Sequence, residues 1–238
     1  PCYVVGGFVR DKFLGRPIKM DLDFVTVGSG IELAKAVQKK LSPKPKLSVF
    51  KSFGTAHMNH KGVDLEFVGA RKESYQRDSR NPIVEDGTLT DDQNRRDFTI
   101  NAMAISLNDG LWGELIDPFD GIGDLAKKLL RTPLNPDKTF DDDPLRMMRA
   151  VRFAAQLNFK IDSTSLMSIR KLADRVSIVA PERVSQELNK IMEVSKPSYG
   201  LGLLYTTGIL PHILPEIQAL QGVEEIEGHL HKDNFYHT

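Results

Sequence analysis

Asp21 and Asp23 flank Leu22 at the entry to an apolar, β-branched run. Side chains two apart on a strand project from one face. Two carboxylates on one face offer hard oxygen ligands that suit Mg2+. Two such ions roughly 4 Å apart activate a hydroxyl and neutralise a departing pyrophosphate. The ordinary alternative is a solvated acidic strand end, and an Asp-x-Asp pair alone does not decide between them. Upstream, Gly6-Gly7 follows a short apolar run and precedes a helical stretch bearing Arg10 and Asp11. Glycines there let the backbone approach a triphosphate, and a helix start favours anions. Arg10 can add a forked contact to phosphate; the plainer reading is a strand–helix turn. Asp64 and Glu66 repeat the two-residue spacing. They read as surface charge or, in the case of Glu66, as a third carboxylate supporting a metal. Arg146, Arg149 and Arg152 recur every third residue; such a basic stripe is ordinarily a solvated helix face or a set of local ion pairs.

These residues need elements to hold them. Tyr3 to Val5 and Leu22 to Val27 read as strands, and Phe8 to Leu14 and Ile31 to Leu41 as helices. Leu47 to Phe50, Ala56 to Asn59 and Val63 to Val68 complete the expected strands of one sheet. Residues 71–94 are polar and contain Pro and Gly, and they read as a mobile loop. From Asp97 the period turns helical, with Phe98, Ala102 and Ile105 on one stripe, and Leu115-Ile116 is a last short strand. Beyond 124 the text predicts only helices, at about 124–130, 144–157, 163–173, 181–193 and 197–207. Pro144, Pro181 and Pro197 stand near three of their starts, where a missing N–H costs little. Strands first and helices after argue for an α+β chain: a mixed-sheet head over 1–125, then a helical region over 126–215.

Composition sets outer bounds. The chain has 238 residues, 40% hydrophobic and 27% charged, in the range of a globular protein. Lys+Arg and Asp+Glu are both 32, so an RNA-binding surface has to come from local clustering. Cys2 is the only cysteine, which rules out an intrachain disulfide and fits a reducing, cytoplasmic compartment. No apolar run approaches the roughly 20 residues of a membrane span, and no signal peptide is legible. The text opens at Pro1 inside an apolar run and stops at Thr238, which suggests a longer natural protein.

Read together, Gly6-Gly7-Phe8-Val9-Arg10-Asp11, Leu14-Gly15-Arg16 and Asp21-Leu22-Asp23-Phe24-Val25 resemble the signature of class II tRNA nucleotidyltransferases (CCA-adding enzymes) and bacterial poly(A) polymerases. The resemblance covers residues 3 to 215. It implies a nucleotidyltransferase head of the polymerase-β superfamily, with Asp21 and Asp23 as Mg2+-holding catalytic residues and Gly7 and Arg10 at the triphosphate. Arg95-Arg96-Asp97-Phe98-Thr99-Ile100-Asn101-Ala102-Met103 resembles the family's second motif. There Arg96 contacts the nucleotide and Asp97 accepts from the ribose hydroxyls, while a helix N-cap is the bland role for Asp97. Asp142-Asp143-Pro144-Leu145-Arg146 resembles the motif that reads the incoming base, although the family usually has Glu at 142. An acidic acceptor beside an Arg donor selects cytosine and adenine, which present an amine next to a ring acceptor. Arg149 and Arg152 match family positions that contact the nucleotide. Met147, Val151, Ala154 and Ala155 form the apolar face that should pack inward. Asp117-Pro118-Phe119-Asp120-Gly121 also matches the family text and reads as a turn fixing the head against the next helix.

The implied activity is template-independent addition of C and A from CTP and ATP to tRNA 3′ ends, in the cytoplasm, with no obligatory protein partner. Poly(A) polymerase and A-only addition share every motif. A binding module of lost chemistry is the rival from another class, against which the intact Asp21 and Asp23 argue. Residues 216–238, with His229, His231, Asp233 and His237, resemble the entry to a fused HD-type phosphohydrolase domain, in which His237 would be the first metal ligand.

Overall fold

The computed structural model describes residues 1–17, 20–76, 79–222, 225–226 and 229–230. They divide into two compact units, Pro1–Leu134 and Asn135–Thr238. The fold is α+β, with a mixed sheet in the first unit and helices dominating the second.

In the first unit, β1 (Cys2–Val5) leads through Gly6 into α1 (Gly7–Phe13), and β2 (Asp21–Thr26) into α2 (Gly30–Lys40). Ser29 caps α2, its hydroxyl accepting from Glu32 N at 3.2 Å. There follow β3 (Leu47–Phe50), β4 (Thr55–His60) and β5 (Val63–Gly69), then β6 (Arg71–Gln76), β7 (Ser79–Asp86) and α3 (Leu89–Asn94). The unit continues with β8 (Ala104–Ser106), β9 (Leu115–Ile116) and α4 (Gly121–Lys127). Seven strands form one sheet in the order β3-β4-β5-β2-β1-β8-β9. Within this sheet only the β2–β5 pair is parallel, with Asp21 opposite Asp64 and Asp23 opposite Glu66. Alternation sorts the faces. Phe24 and Phe67 stack at 4.9 Å on the face covered by α2, together with Ala34, Ala56 and Met58. Val5, Val25, Ala70 and Ala104 pack on the other face, and Asp21 and Asp23 share it by strand parity.

Three expectations for this unit are corrected. Residues 71–76 and 79–86 are not a loop but two antiparallel strands, and a capped helix follows. The polar residues that suggested a loop are complementary across the ladder, Arg71 opposite Asp86 and Lys72 opposite Glu85. Thr88 and Asp91 then form a capping box at the start of α3. The helical stripe expected from Asp97 is a single 3-10 turn, Thr99–Asn101, followed by β8. Pairing of β8 with β1 outweighs the local period. The first compact unit runs to Leu134. Thr99 N donates to Arg131 O at 2.9 Å, and Arg131 donates to Phe119 O at 2.7 Å, which ties residues up to 131 into this unit. Asp120 is the N-cap of α4, accepting from Gly123 N at 3.2 Å, and Asp117 accepts from Gly121 N and Ile122 N at 2.7 and 2.9 Å, so that helix begins three residues earlier than expected.

The second unit holds α5 (Pro136–Asp142), α6 (Leu145–Leu157), α7 (Ser163–Leu172), α8 (Pro181–Met192), α9 (Pro197–Thr206), α10 (Leu210–Ile213) and α11 (Pro215–Gln218). Helix α5, not among the expected helices, is capped by Asn135 and opened by Pro136. The chain beyond 124 is not helical throughout: Leu129–Leu130 and Lys160–Ile161 are extended, and Glu225–Ile226 pairs with His229–Leu230. Met147, Val151 and Ala154 on α6 are fully buried, and Ile169, Ile191 and Leu204 are buried on α7, α8 and α9. His231, Asp233 and His237 lie outside the described residues. No helix among the described residues is long and apolar enough to cross a membrane.

Candidate active site

Gly6 sits between β1 and α1 at φ +74°, a conformation that glycine adopts without steric cost. A Cβ built there would meet Asp23 Oδ2 at 3.2 Å and an Arg96 guanidinium nitrogen at 3.4 Å. The turn, the second aspartate and the arginine of the second motif therefore converge on one spot. Asp23 is half-buried. Burial pushes its carboxyl up to about 6; Glu66 and then Asp21 add to the rise, and Arg96 opposes it. The parallel register explains this, since it sets Glu66 beside Asp23 on the neighbouring strand. Glu66 is exposed. Asp64 is engaged elsewhere, accepting from Asn59 Nδ2 at 3.0 Å and lying 3.1 Å from His57 Nε2.

The donor set fits a divalent cation. Carboxylates on adjacent strands raise one another's cost of ionisation, and a cation between them relieves it. Among the described residues no three His, Cys, Asp or Glu side chains gather closely enough to cage a metal. A pair of aspartates is the donor set expected of Mg2+, which keeps waters and substrate phosphates in its shell.

Asp92, on α3, is fully buried and clamps both arginines of the second motif. Its Oδ1 accepts from Arg95, and its Oδ2 lies 2.9 Å from Arg96 Nε and 2.8 Å from Arg96 Nη2. Burial alone would raise its pKa, but Arg96 and Arg95 outweigh that and hold it below the usual carboxylate value. The sequence reading did not single out Asp92. Its spacing of three and four residues from Arg95 and Arg96 was the available signal.

Arg10 is buried, and its guanidinium faces inward. Nε and Nη2 contact Asp11 at 2.9 and 3.1 Å, and Nη1 donates to Asn101 Oδ1 at 2.9 Å. Gly7 opens α1 just before it. Asp97 is buried too; its Oδ1 accepts from Phe98 N at 2.8 Å and from Asn101 Nδ2 at 3.0 Å. Asp97 thus braces the Thr99–Asn101 turn by its side chain, although Phe98 occupies the N-cap position.

In the helical unit, Asp143 precedes α6 and accepts from Leu145 N at 3.2 Å. Arg146 is buried, and its Nη1 donates to Thr139 O at 3.3 Å. Arg149 and Arg152 lie 5.4 and 4.0 Å from the Phe153 ring centroid. Arg152 Nε also pairs with Glu187 Oε2 of α8 at 2.5 Å, and its Nη1 donates to Gln156 Oε1 at 3.2 Å. The local ion pair expected of a basic stripe is therefore present at Arg152.

Residues 2–131 match the model of the poly A polymerase head domain, and residues 158–220 match that of the probable RNA- and SrmB-binding site of polymerase A. The chain is similar to the A-adding tRNA nucleotidyltransferase of Aquifex aeolicus, 43% identical over 189 residues, which are 79% of this chain and 22% of the relative. It is 34% identical over 232 residues to the CCA-adding enzyme of Levilactobacillus brevis, with 97% and 56% of the two chains covered. Among solved structures, the Thermotoga maritima CCA-adding enzyme complexed with tRNA superposes with a TM-score of 0.77 at 33% identity, over 91% of this chain and 48% of that one. A CCA-adding enzyme in its apo form II gives 0.81 at 32% identity, over 99% and 58%. The chain spans from about a fifth to just over half of the length of these relatives. With more than half of its residues matched by the head-domain model, and the glycine turn, paired aspartates and second-motif arginine gathered as above, the chain belongs to the poly A polymerase head-domain family.

Proposed function

We propose that this chain carries the catalytic centre of a cytoplasmic RNA nucleotidyltransferase that adds C and A from CTP and ATP to the 3′ end of tRNA. The observation that carries the reading is the convergence of Asp23, Gly6 and Arg96 at the strand–helix turn, with Asp21 two residues away on the same strand face. In the reaction the primer 3′ hydroxyl oxygen forms a bond to the α-phosphorus, the α–β bridging bond breaks, and pyrophosphate leaves. Asp21 and Asp23 would hold Mg2+, which when bound supplies charge neutralisation and a more acidic attacking hydroxyl. Arg96, anchored by Asp92, would contact the nucleotide, and Asp97 would accept from the ribose hydroxyls. Gly7 would keep the backbone open to the triphosphate. Arg10, its guanidinium engaged by Asp11 and Asn101, would brace that turn from behind. By the same resemblance, Asp143 and Arg146 would read the base and Arg149 and Arg152 would contact the nucleotide, with Glu187 holding Arg152 in place. Such catalysis is mostly positioning and electrostatic. We read the chain in two parts, a catalytic head and a helical nucleotide-recognition region.

A-only addition is the second reading, favoured by the 43% identity to a relative named for adding A. One experiment separates the readings. The full-length protein is incubated with Mg2+ and tRNA ending before CCA, or ending in CC, with CTP, ATP or both, and with Asp21→Ala as control. Two C residues and then one A establish CCA addition; extension of the CC-ending tRNA alone, by one A, establishes A addition. Long tails with ATP alone make it a poly(A) polymerase, and no extension by the unmutated protein sinks the proposal.

A further inference from the structure

Three groups assigned above to nucleotide recognition or to its support meet at one residue with no role so far. Asn101 closes the Thr99–Asn101 turn and is buried at 6% exposure. Its Oδ1 accepts from Arg10 Nη1 at 2.9 Å, its Nδ2 donates to Asp97 Oδ1 at 3.0 Å, and its backbone oxygen accepts from Arg96 Nη1 at 3.2 Å. The partners dictate the direction of the amide, because a guanidinium only donates and a carboxylate only accepts. Asparagine is the side chain of this size that serves both at once. Aspartate would set a second negative charge 3.0 Å from Asp97, and an apolar side chain would leave both partners facing nothing.

We infer that Asn101 is the positioning residue that sets the Asp97 carboxylate for recognition of the ribose hydroxyls. Two donors, Phe98 N and Asn101 Nδ2, fix Oδ1 of Asp97 and with it the plane of the carboxylate. Arg10 fixes the amide in turn, and Asp11 fixes Arg10 through two contacts. The chain from Asp11 to Asp97 is buried at every member, so its geometry is held in a low-dielectric setting where a misdirected partner is costly. A site built to hydrogen-bond a hydroxyl rejects the analogue that lacks it, provided that the acceptor stays in place. Asn101 acts on sugar selection through Asp97 and not on bond making. The inference rests on the proposed nucleotidyltransferase reading.

The test compares ATP with 2′-deoxy-ATP in single-nucleotide extension of tRNA ending in CC by the full-length protein, as wild type, Asn101→Asp and Asn101→Ala. Wild type should prefer ATP. In both variants the ratio of kcat/KM for ATP over 2′-deoxy-ATP should fall at least tenfold, through a raised KM for ATP, with kcat/KM for the deoxynucleotide changed less than threefold. Asn101→Ala adds no charge and serves if Asn101→Asp does not fold. An unchanged ratio, or equal losses with both nucleotides, overturns the inference and leaves the nucleotidyltransferase reading standing. A wild type that incorporates neither nucleotide overturns both.

Discussion

Replacing Asp23 by Asn should make the metal-free protein more stable at neutral pH while abolishing its activity. The Asp23 carboxyl is pushed from its ordinary 3.8 to about 6 by burial, and then by Glu66 and Asp21. At 1.36 kcal/mol per unit, its ionisation costs the folded state about 3 kcal/mol at pH 7.5. The raised value means that the folded protein holds a proton which the unfolded chain has lost. Stability therefore falls as pH rises from about 4 to about 6 and stays low above that. Asparagine keeps the shape without the charge but has its own desolvation cost, so the expected net gain is about 1–2 kcal/mol. That corresponds to a melting temperature higher by roughly 2–8 °C. The assay is urea unfolding in EDTA at pH 7.5 and 4.5. The variant should be the more stable at pH 7.5, and the difference should shrink below about 1 kcal/mol at pH 4.5. Added Mg2+ should stabilise wild type and leave the variant unchanged. A variant less stable than wild type at pH 7.5 in EDTA would refute the argument that this site is strained by unrelieved negative charge.

Two further perturbations test the scaffold. Asp92→Ala removes the shared partner of Arg95 and Arg96 and should cost about 3–5 kcal/mol in urea unfolding, with a raised KM for both nucleotides. Because the Asp92 pKa is lowered, its contribution is present above the ordinary carboxylate range and is lost as pH falls through the folded value, so wild type and variant should converge in acid. Gly30→Ala would place a Cβ 2.7 Å from the Val68 carbonyl carbon and 2.8 Å from Gly69 N, forcing α2 off the sheet. A loss of about 1–3 kcal/mol should appear in the same unfolding assay.

The carboxylate pair was legible because its geometry is local. A strand period of two is enough to put Asp21 and Asp23 on one face, and the apolar run after them marks the strand. The strands at 47–68 and the helices from 145 onward were legible for the same reason, each carrying its own period. The paired strands at 71–76 and 79–86 were not, since their support lies in pairs 13 to 15 residues apart, Arg71 with Asp86 and Lys72 with Glu85. No window read along the chain brings those charges together. The turn at 99–101 and β8 were misread for a related reason: β8 takes its form from pairing with β1, about a hundred residues earlier.

The same distinction separates the groups named from sequence from those that hold them. Asp23, Arg96 and Asp97 stand in motifs that identify them one by one. Their neighbours are non-local or buried: Glu66 lies beside Asp23 through the parallel register, Asp92 of α3 holds Arg96, and Asn101 bonds Asp97 and also Arg10, on a helix about ninety residues away. Asp92 and Asn101 are groups that would be costly to bury without their partners. Their burial is thus itself an argument that the partners are held in place. An aspartate with no exposed surface, gripping two arginines, cannot be released without stranding charge. Arg96 is therefore held toward the glycine turn by the protein alone; on the proposed reading, the energy of nucleotide binding would not be spent on placing it.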